Sequence, residues 1–149
     1  MTSTIELPGL FHTHFSPLLS LSQSRDFGGK EKLSGRSILL VEDELMLALD
    51  IELELEDAGA SVIGPVDRLD LGMALLDDAP MIDAAILDID LHGVESFPIA
   101  SRLRERGVPF LFHTGHGTRS ELKEQFGDVT VCKKPVLSEQ LIDAVAKLL

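Results

Sequence analysis

Ala84-Ala85-Ile86-Leu87-Asp88-Ile89-Asp90 is an apolar run of strand length that stops abruptly at a carboxylate. A strand buried on both faces of a parallel sheet reads as such a run, and in open α/β sheets ligands sit beyond the carboxyl ends of the strands. Other runs behave alike. Ile38-Leu39-Leu40-Val41 ends on Glu42-Asp43-Glu44, Pro109-Phe110-Leu111-Phe112-His113 ends on Thr114, and Thr130-Val131-Cys132-Lys133 ends on Lys134-Pro135. These strand ends offer an acid cluster, a further acid, a hydroxyl and an ammonium group. Such a set can bind a divalent cation and move a phosphoryl group.

Working outward, strands and helices alternate from Arg36 onward. Residues 44–58 carry two patterns. Leu49 to Glu56 alternates apolar and acidic residues, as a strand would, yet the segment lacks Val and Thr and stops at Gly59. Ala48, Ile51, Leu55 and Ala58 fit helical spacing, and composition, length and the Gly stop decide for a helix. Residues 61–66 read as a strand, 69–78 as a helix with Leu71, Leu75 and Leu76 inward, and 84–88 as the third strand. Ser96 can cap a helix running to residue 106, with Pro98 tolerated in its first turn and Gly107 as the stop. Residues 108–113 are the fourth strand, 119–126 a short helix and 130–133 the fifth strand. Ser138 caps a last helix with Leu141, Val145 and Leu148 on one face. The pattern is (βα)5, an α/β doubly wound parallel sheet. Five units suit the flavodoxin-like strand order 2-1-3-4-5, whose switch point lies between strands one and three, the two that carry the acids.

At 149 residues the chain is one domain plus a tail. Residues 1–35 are rich in Ser, Gly, Pro and Thr without a sustained period, and read as a disordered tail with a sticky apolar patch between Leu10 and Leu21. Pro17, His12 and His14 break that patch and no basic leader precedes it, so a secretory signal is not expected. The domain is placed at 36–149. The formal charge is −12, all of it beyond the charge-neutral tail. This disfavours nucleic-acid binding through phosphates, and suits either simple solubility or a protein partner with a basic face. The single Cys132 excludes an intramolecular disulfide and fits a reducing, cytoplasmic setting. No apolar run is long enough to span a membrane.

Glu42, Asp43 and Asp88 are expected to converge at adjacent strand ends. Ionised carboxylates in so small a volume repel one another and need a cation. All-oxygen ligands suit Mg²⁺ or Mn²⁺ rather than zinc. The ion would take oxygens from Asp43 and Asp88, a water held by Glu42, and a backbone carbonyl from Asp90. Asp88 could then attack phosphorus to give an aspartyl phosphate. Lys134 and Thr114 would each meet one oxygen of the transferred group. Lys134 is chosen over Lys133 because it directly precedes Pro135 and alternation points Lys133 the other way.

The set Val41-Glu42-Asp43-Glu44, Leu87-Asp88-Ile89-Asp90, Thr114-Gly115 and Lys134-Pro135 closely resembles the receiver domain of two-component response regulators, over residues 36–149. The resemblance implies that Asp88 is the phosphoacceptor, Glu42 and Asp43 the acidic metal pair, and Asp90 the source of the carbonyl ligand. It makes Thr114 the switch hydroxyl and Lys134 the phosphate-contacting lysine, and implies a cis bond before Pro135. Two features depart from the usual receiver. Val131 stands where the family has a Tyr or Phe that partners the switch hydroxyl. The string from Pro109 to Gly117 is similar to that of stand-alone receivers ending their fourth strand in Phe-Ala-Thr-Gly, a subclass associated with HWE and HisKA2 histidine kinases. His113 and His116 depart from that string.

The resemblance implies a single-domain response regulator, not an enzyme, phosphorylated by a histidine kinase or a histidine phosphotransfer protein. With the chain ending at the fifth helix, output would pass through contact with a downstream protein or onward phosphotransfer. The kinase's phosphohistidine domain would dock near the first helix. One alternative is a degenerate receiver that binds partners without phosphorylation. Another is a haloacid-dehalogenase-like phosphatase, whose DxD Asp88-Ile89-Asp90 would satisfy, although that DxD normally follows the first strand. Simpler readings stand beside the individual residues. Asp88 or Thr114 could cap a helix, Glu42-Asp43 could complement a helix dipole, and Asp50, Glu52, Glu54 and Asp57 could form a wet helix face. His92, His113 and His116 could be imagined as a transition-metal site, but their spacing matches no common ligand pattern. His116 is expected at the rim of the phosphorylation site.

Overall fold

The computed structural model describes residues 31–79, 81–115, 117 and 119–149. The tail up to residue 30, with His12, His14 and the apolar patch, lies outside the described residues, as does His116. The elements run β1 (Ser37–Val41), α1 (Leu45–Asp57), β2 (Ser61–Val66), α2 (Leu69–Asp78), β3 (Ala84–Leu87), β4 (Asp90–Leu91) and β5 (Val94–Glu95). They continue with α3 (Phe97–Glu105), β6 (Phe110–Thr114), α4 (Arg119–Phe126), β7 (Thr130–Lys133) and α5 (Ser138–Leu148). Five strands form one sheet in the order β2-β1-β3-β6-β7, each neighbouring pair parallel. Setting the short β4–β5 hairpin aside, this is the expected flavodoxin-like order 2-1-3-4-5.

Strand alternation sorts the core into two halves. Leu39, Val41, Ala85, Leu87, Phe110 and Phe112 face α2, α3 and α4. Ile38, Leu40, Ala84, Ile86 and Leu111 face α1 and α5. On the first face Phe97, Phe110, Phe112 and Phe126 stack edge-on or tilted, with centroids 5.2 to 6.1 Å apart. The ambiguous segment is a helix because Ala48, Ile51 and Leu55 seal the second face. Of its other leucines, Leu47 is half-buried against the same face, while Leu45, Leu49 and Leu53 are left exposed.

Several local expectations are corrected. Leu71 points outward, while Leu76 is the buried leucine of α2. Ser96 holds the N-cap position of α3 but makes no cap bond; its Oγ donates instead to the Asp88 carbonyl, a buried acceptor that needs a partner. The N-cap of α5 is Leu137, and Ser138 Oγ donates to Asp50 Oδ2 of α1 at 2.9 Å. The β4–β5 hairpin was not anticipated. Its turn is made by His92 (φ 54°) and Gly93 (φ 85°), and a positive φ at both central residues is what a tight hairpin turn demands.

Packed structure also begins before Arg36. Leu33 has no exposed surface, lies in the α1/α5 half of the core, and its N–H donates to Ala58 O at 2.9 Å. Leu33→Ala is expected to destabilise the protein by about 3 kcal/mol through lost burial and the cavity left behind. Urea unfolding followed by circular dichroism checks this; an unchanged midpoint would show that Leu33 adds nothing.

Candidate functional site

The same alternation builds the site. Glu42 continues the face of Ile38 and Leu40, Asp88 that of Ile86, His113 that of Leu111, and Lys134 that of Cys132. Four strand ends thus place a polar layer on top of the α1/α5 core. Thr114 follows the opposite alternation, buried beyond Phe112. Its carbonyl accepts the Lys134 N–H at 2.9 Å, and the Lys134–Pro135 bond is cis.

Glu42, Asp43, Glu44 and Asp88 can each bring one carboxylate oxygen within 4.8 Å of the others. Three of these were expected; Glu44 was not named as a ligand. Lys134 Nζ sits among them, 2.7 Å from Asp88 Oδ2, 2.9 Å from Glu42 Oε1 and 3.1 Å from Glu44 Oε1. Asp43 is fixed from the hairpin, accepting the His92 N–H at 3.1 Å. The Asp90 carboxylate stands outside the cluster, exposed, and accepts the Gly93 N–H at 2.6 Å to close the hairpin. Of the three histidines, the two that are described, His92 and His113, do not gather. His92 is exposed beside Asp43 and Asp67, whereas His113 is buried with its Nδ1 3.7 Å from Glu42 Oε2. Val131 packs on the α4 side, in register with Phe112. Lys133 is exposed.

Burial pushes the Asp88 carboxyl up to about 7, opposed by Lys134 and reinforced by the nearby Glu42 charge. Burial acts on Glu42 in the same direction, but the His113 ring and the Lys134 ammonium outweigh it and hold Glu42 down at about 2. Burial lowers Lys134, yet its bonds to Asp88 and Glu42 raise it overall. Thus Glu42 keeps its charge and Asp88 resists ionising beside it. Glu42 Oε2 is also buried without a hydrogen-bond partner. An all-oxygen donor set with surplus negative charge fits a hard divalent cation.

The structure aligns with a response regulator receiver protein from Sinorhizobium medicae WSM419 at a TM-score of 0.68 and 30% identity, over 76% of this chain and 93% of that one. SdrG from Sphingomonas melonis Fr1 aligns at a TM-score of 0.65 and 38% identity, over 76% and 95%. The BeF3-activated conformation of SdrG from Pseudomonas melonis Fr1 aligns at 0.61 and 37%, over 76% and 96%. No family model and no curated protein matches the chain. The chain belongs to the response regulator receiver family, and so to the proteins of two-component signalling. Among the described residues no helix is long and apolar enough to cross a membrane.

Proposed function

We propose that the protein accepts a phosphoryl group on Asp88 from a histidine kinase, or from a histidine phosphotransfer protein, in a phosphorelay. The observation that carries this is the contact of Lys134 Nζ with Asp88 Oδ2, 2.7 Å, inside a cluster of four carboxylates. Asp88 ends a buried strand with its carboxylate facing the cluster, and its N–H is held by Val41 O at 2.8 Å. An Asp88 oxygen forms the new bond to phosphorus as the bond from phosphorus to the donor's imidazole nitrogen breaks. The electron pair leaves with the ring. Lys134 moves with the incoming charge, and Thr114 meets another phosphoryl oxygen. Mg²⁺ or Mn²⁺, held by Asp43, Asp88, the Asp90 carbonyl and a water on Glu42, would neutralise charge on the transferred group. The chain acts as phosphoacceptor and signal carrier rather than as an enzyme on other substrates, and its place is the cytoplasm.

The kinase would dock on α1, which exposes Leu45, Met46, Leu49 and Leu53 and is tied through Asp50 to Ser138 at the start of α5, beside exposed Leu137. Phosphorylation would shift the population of arrangements around Thr114 and α4, and output would be a protein contact or onward transfer. Val131 supplies no ring to report the move of Thr114. This fits the Phe-Ala-Thr-Gly type of receiver and its HWE or HisKA2 kinases. The phosphatase alternative is disfavoured because the second carboxylate of its DxD, Asp90, is spent on the hairpin.

Intact mass after incubation with Mg²⁺ and acetyl phosphate tests the proposal. A gain of one phosphoryl group is expected in wild type and not in Asp88→Asn. No gain from acetyl phosphate or from phosphorylated kinases of the HWE and HisKA2 types would leave the protein a phosphorylation-independent binding module.

A further inference from the structure

His113 is a buried polar group of the site for which the phosphoacceptor reading has no task. Its side chain is 2% exposed, and neither ring nitrogen has a hydrogen-bond partner. Glu42 Oε2, also buried and without a hydrogen-bond partner, lies 3.7 Å from His113 Nδ1. Two such groups facing each other inside a protein are costly unless one donates to the other. At 3.7 Å they stand just beyond hydrogen-bond reach. The other oxygen, Glu42 Oε1, is taken by Lys134 and by the Glu44 N–H.

Resting on the proposed function, we infer that His113 is a positioning residue for Glu42, donating from Nδ1 to Oε2 and holding that carboxylate toward the bound cation. Lys134 is shared among Glu42, Glu44 and Asp88. When Lys134 follows the incoming phosphoryl charge, Oε1 loses its main cation. The Nδ1–H then keeps the carboxylate from swinging out of line, because His113 is buried and stays in place when Lys134 moves. Carboxylates that orient a metal or its water are commonly fixed by such a donor, and removing the donor weakens the metal by about tenfold or more. An apolar ring at residue 113 would fill the same space without donating.

Two readouts test this. Long-range proton–nitrogen correlation NMR on ¹⁵N-histidine-labelled protein reads the ring directly. His113, identified by its missing signal in a variant, is expected to carry its proton on Nδ1, with a shift that changes in Glu42→Ala. A bare Nδ1, or a shift blind to Glu42→Ala, overturns the inference. Calorimetric titration with Mg²⁺ reads the consequence. His113→Phe is expected to weaken Mg²⁺ by about tenfold, while His113→Asn, whose amide nitrogen replaces Nδ1, stays near wild type. Equal affinity in wild type and a folded His113→Phe overturns it. If His113→Phe does not fold, the ring measurement on wild type decides. Wild type that ignores millimolar Mg²⁺ would sink the phosphoacceptor reading instead, with the NMR result still judging His113.

Discussion

In metal-free buffer at pH 8, Asp88→Asn is expected to be more stable than wild type by about 2–4 kcal/mol, the scale set by a carboxyl shifted by several pKa units. Burial and the neighbouring Glu42 raise Asp88 from its ordinary 3.8 to about 7. A raised carboxyl means that the folded state holds this proton more tightly than the unfolded state does. The stability it contributes is complete below pH 4 and is lost as pH rises through 7. Asparagine has the same shape and no charge, so it escapes that loss. At pH 5 the gap should shrink to a fraction of its pH 8 value. Mg²⁺ should close it from the other side, since the ion stabilises only the variant that still presents the carboxylate. Thermal melts followed by circular dichroism at both pH values, with and without Mg²⁺, check this. A variant less stable than wild type at pH 8 would mean that Lys134 alone satisfies Asp88. Glu42 behaves in the opposite sense. Its carboxyl is held at about 2, so the stability it contributes is present above its ordinary value and disappears only as pH falls through that range.

Lys134→Ala is expected to destabilise the protein by about 3–5 kcal/mol at pH 8, because it strands two buried carboxylates. The ammonium touches Glu42 and Asp88, whose side chains are 1% and 7% exposed. Glu44 is largely exposed and loses little. The double variant Asp88→Asn, Lys134→Ala should recover a large part of the loss, since only Glu42 then remains charged in the layer. Chemical denaturation of the four proteins forms a double-mutant cycle that isolates the coupling. Additive effects would show that Lys134 does not hold Asp88, and would remove the main support for the proposed phosphoryl site.

How much of this was legible in the chain depends on whether a residue's role follows from backbone periodicity or from a side chain's final reach. Asp88 stood out because an uninterrupted apolar strand stops at it. Lys134 could be separated from Lys133 by its place before Pro135 together with alternation, and Lys133 is exposed. The parallel sheet followed from the alternation of strands and helices, and the order from the flavodoxin-like arrangement that five such units suit. Glu44 was passed over because it lies past the strand, where alternation no longer says where a carboxylate points. Ser96 and Ser138 sit where a sequence would place caps, but each hydroxyl found a stronger claim in a distant carbonyl or carboxylate. The hairpin was hidden because His92-Gly93 is a weak turn signal beside Asn-Gly, and each of its strands is only two residues long. Leu33 sits among polar and small residues, and only tertiary packing shows it to be core. His113 could be read as the end of an apolar strand, whereas its proximity to Glu42 arises across two intervening ladders of the sheet.

Asp88 and Lys134 crown the side of the sheet covered by α1 and α5, while Thr114 continues the side lined by Phe112 and closed by α4. A donor leaning on the leucines of α1 and a listener pressed against α4 would therefore stand on opposite banks of the same sheet. Neither has to step aside for the other. On the proposed function, one molecule could receive its message and be overheard within a single encounter, without drifting free between speaker and audience.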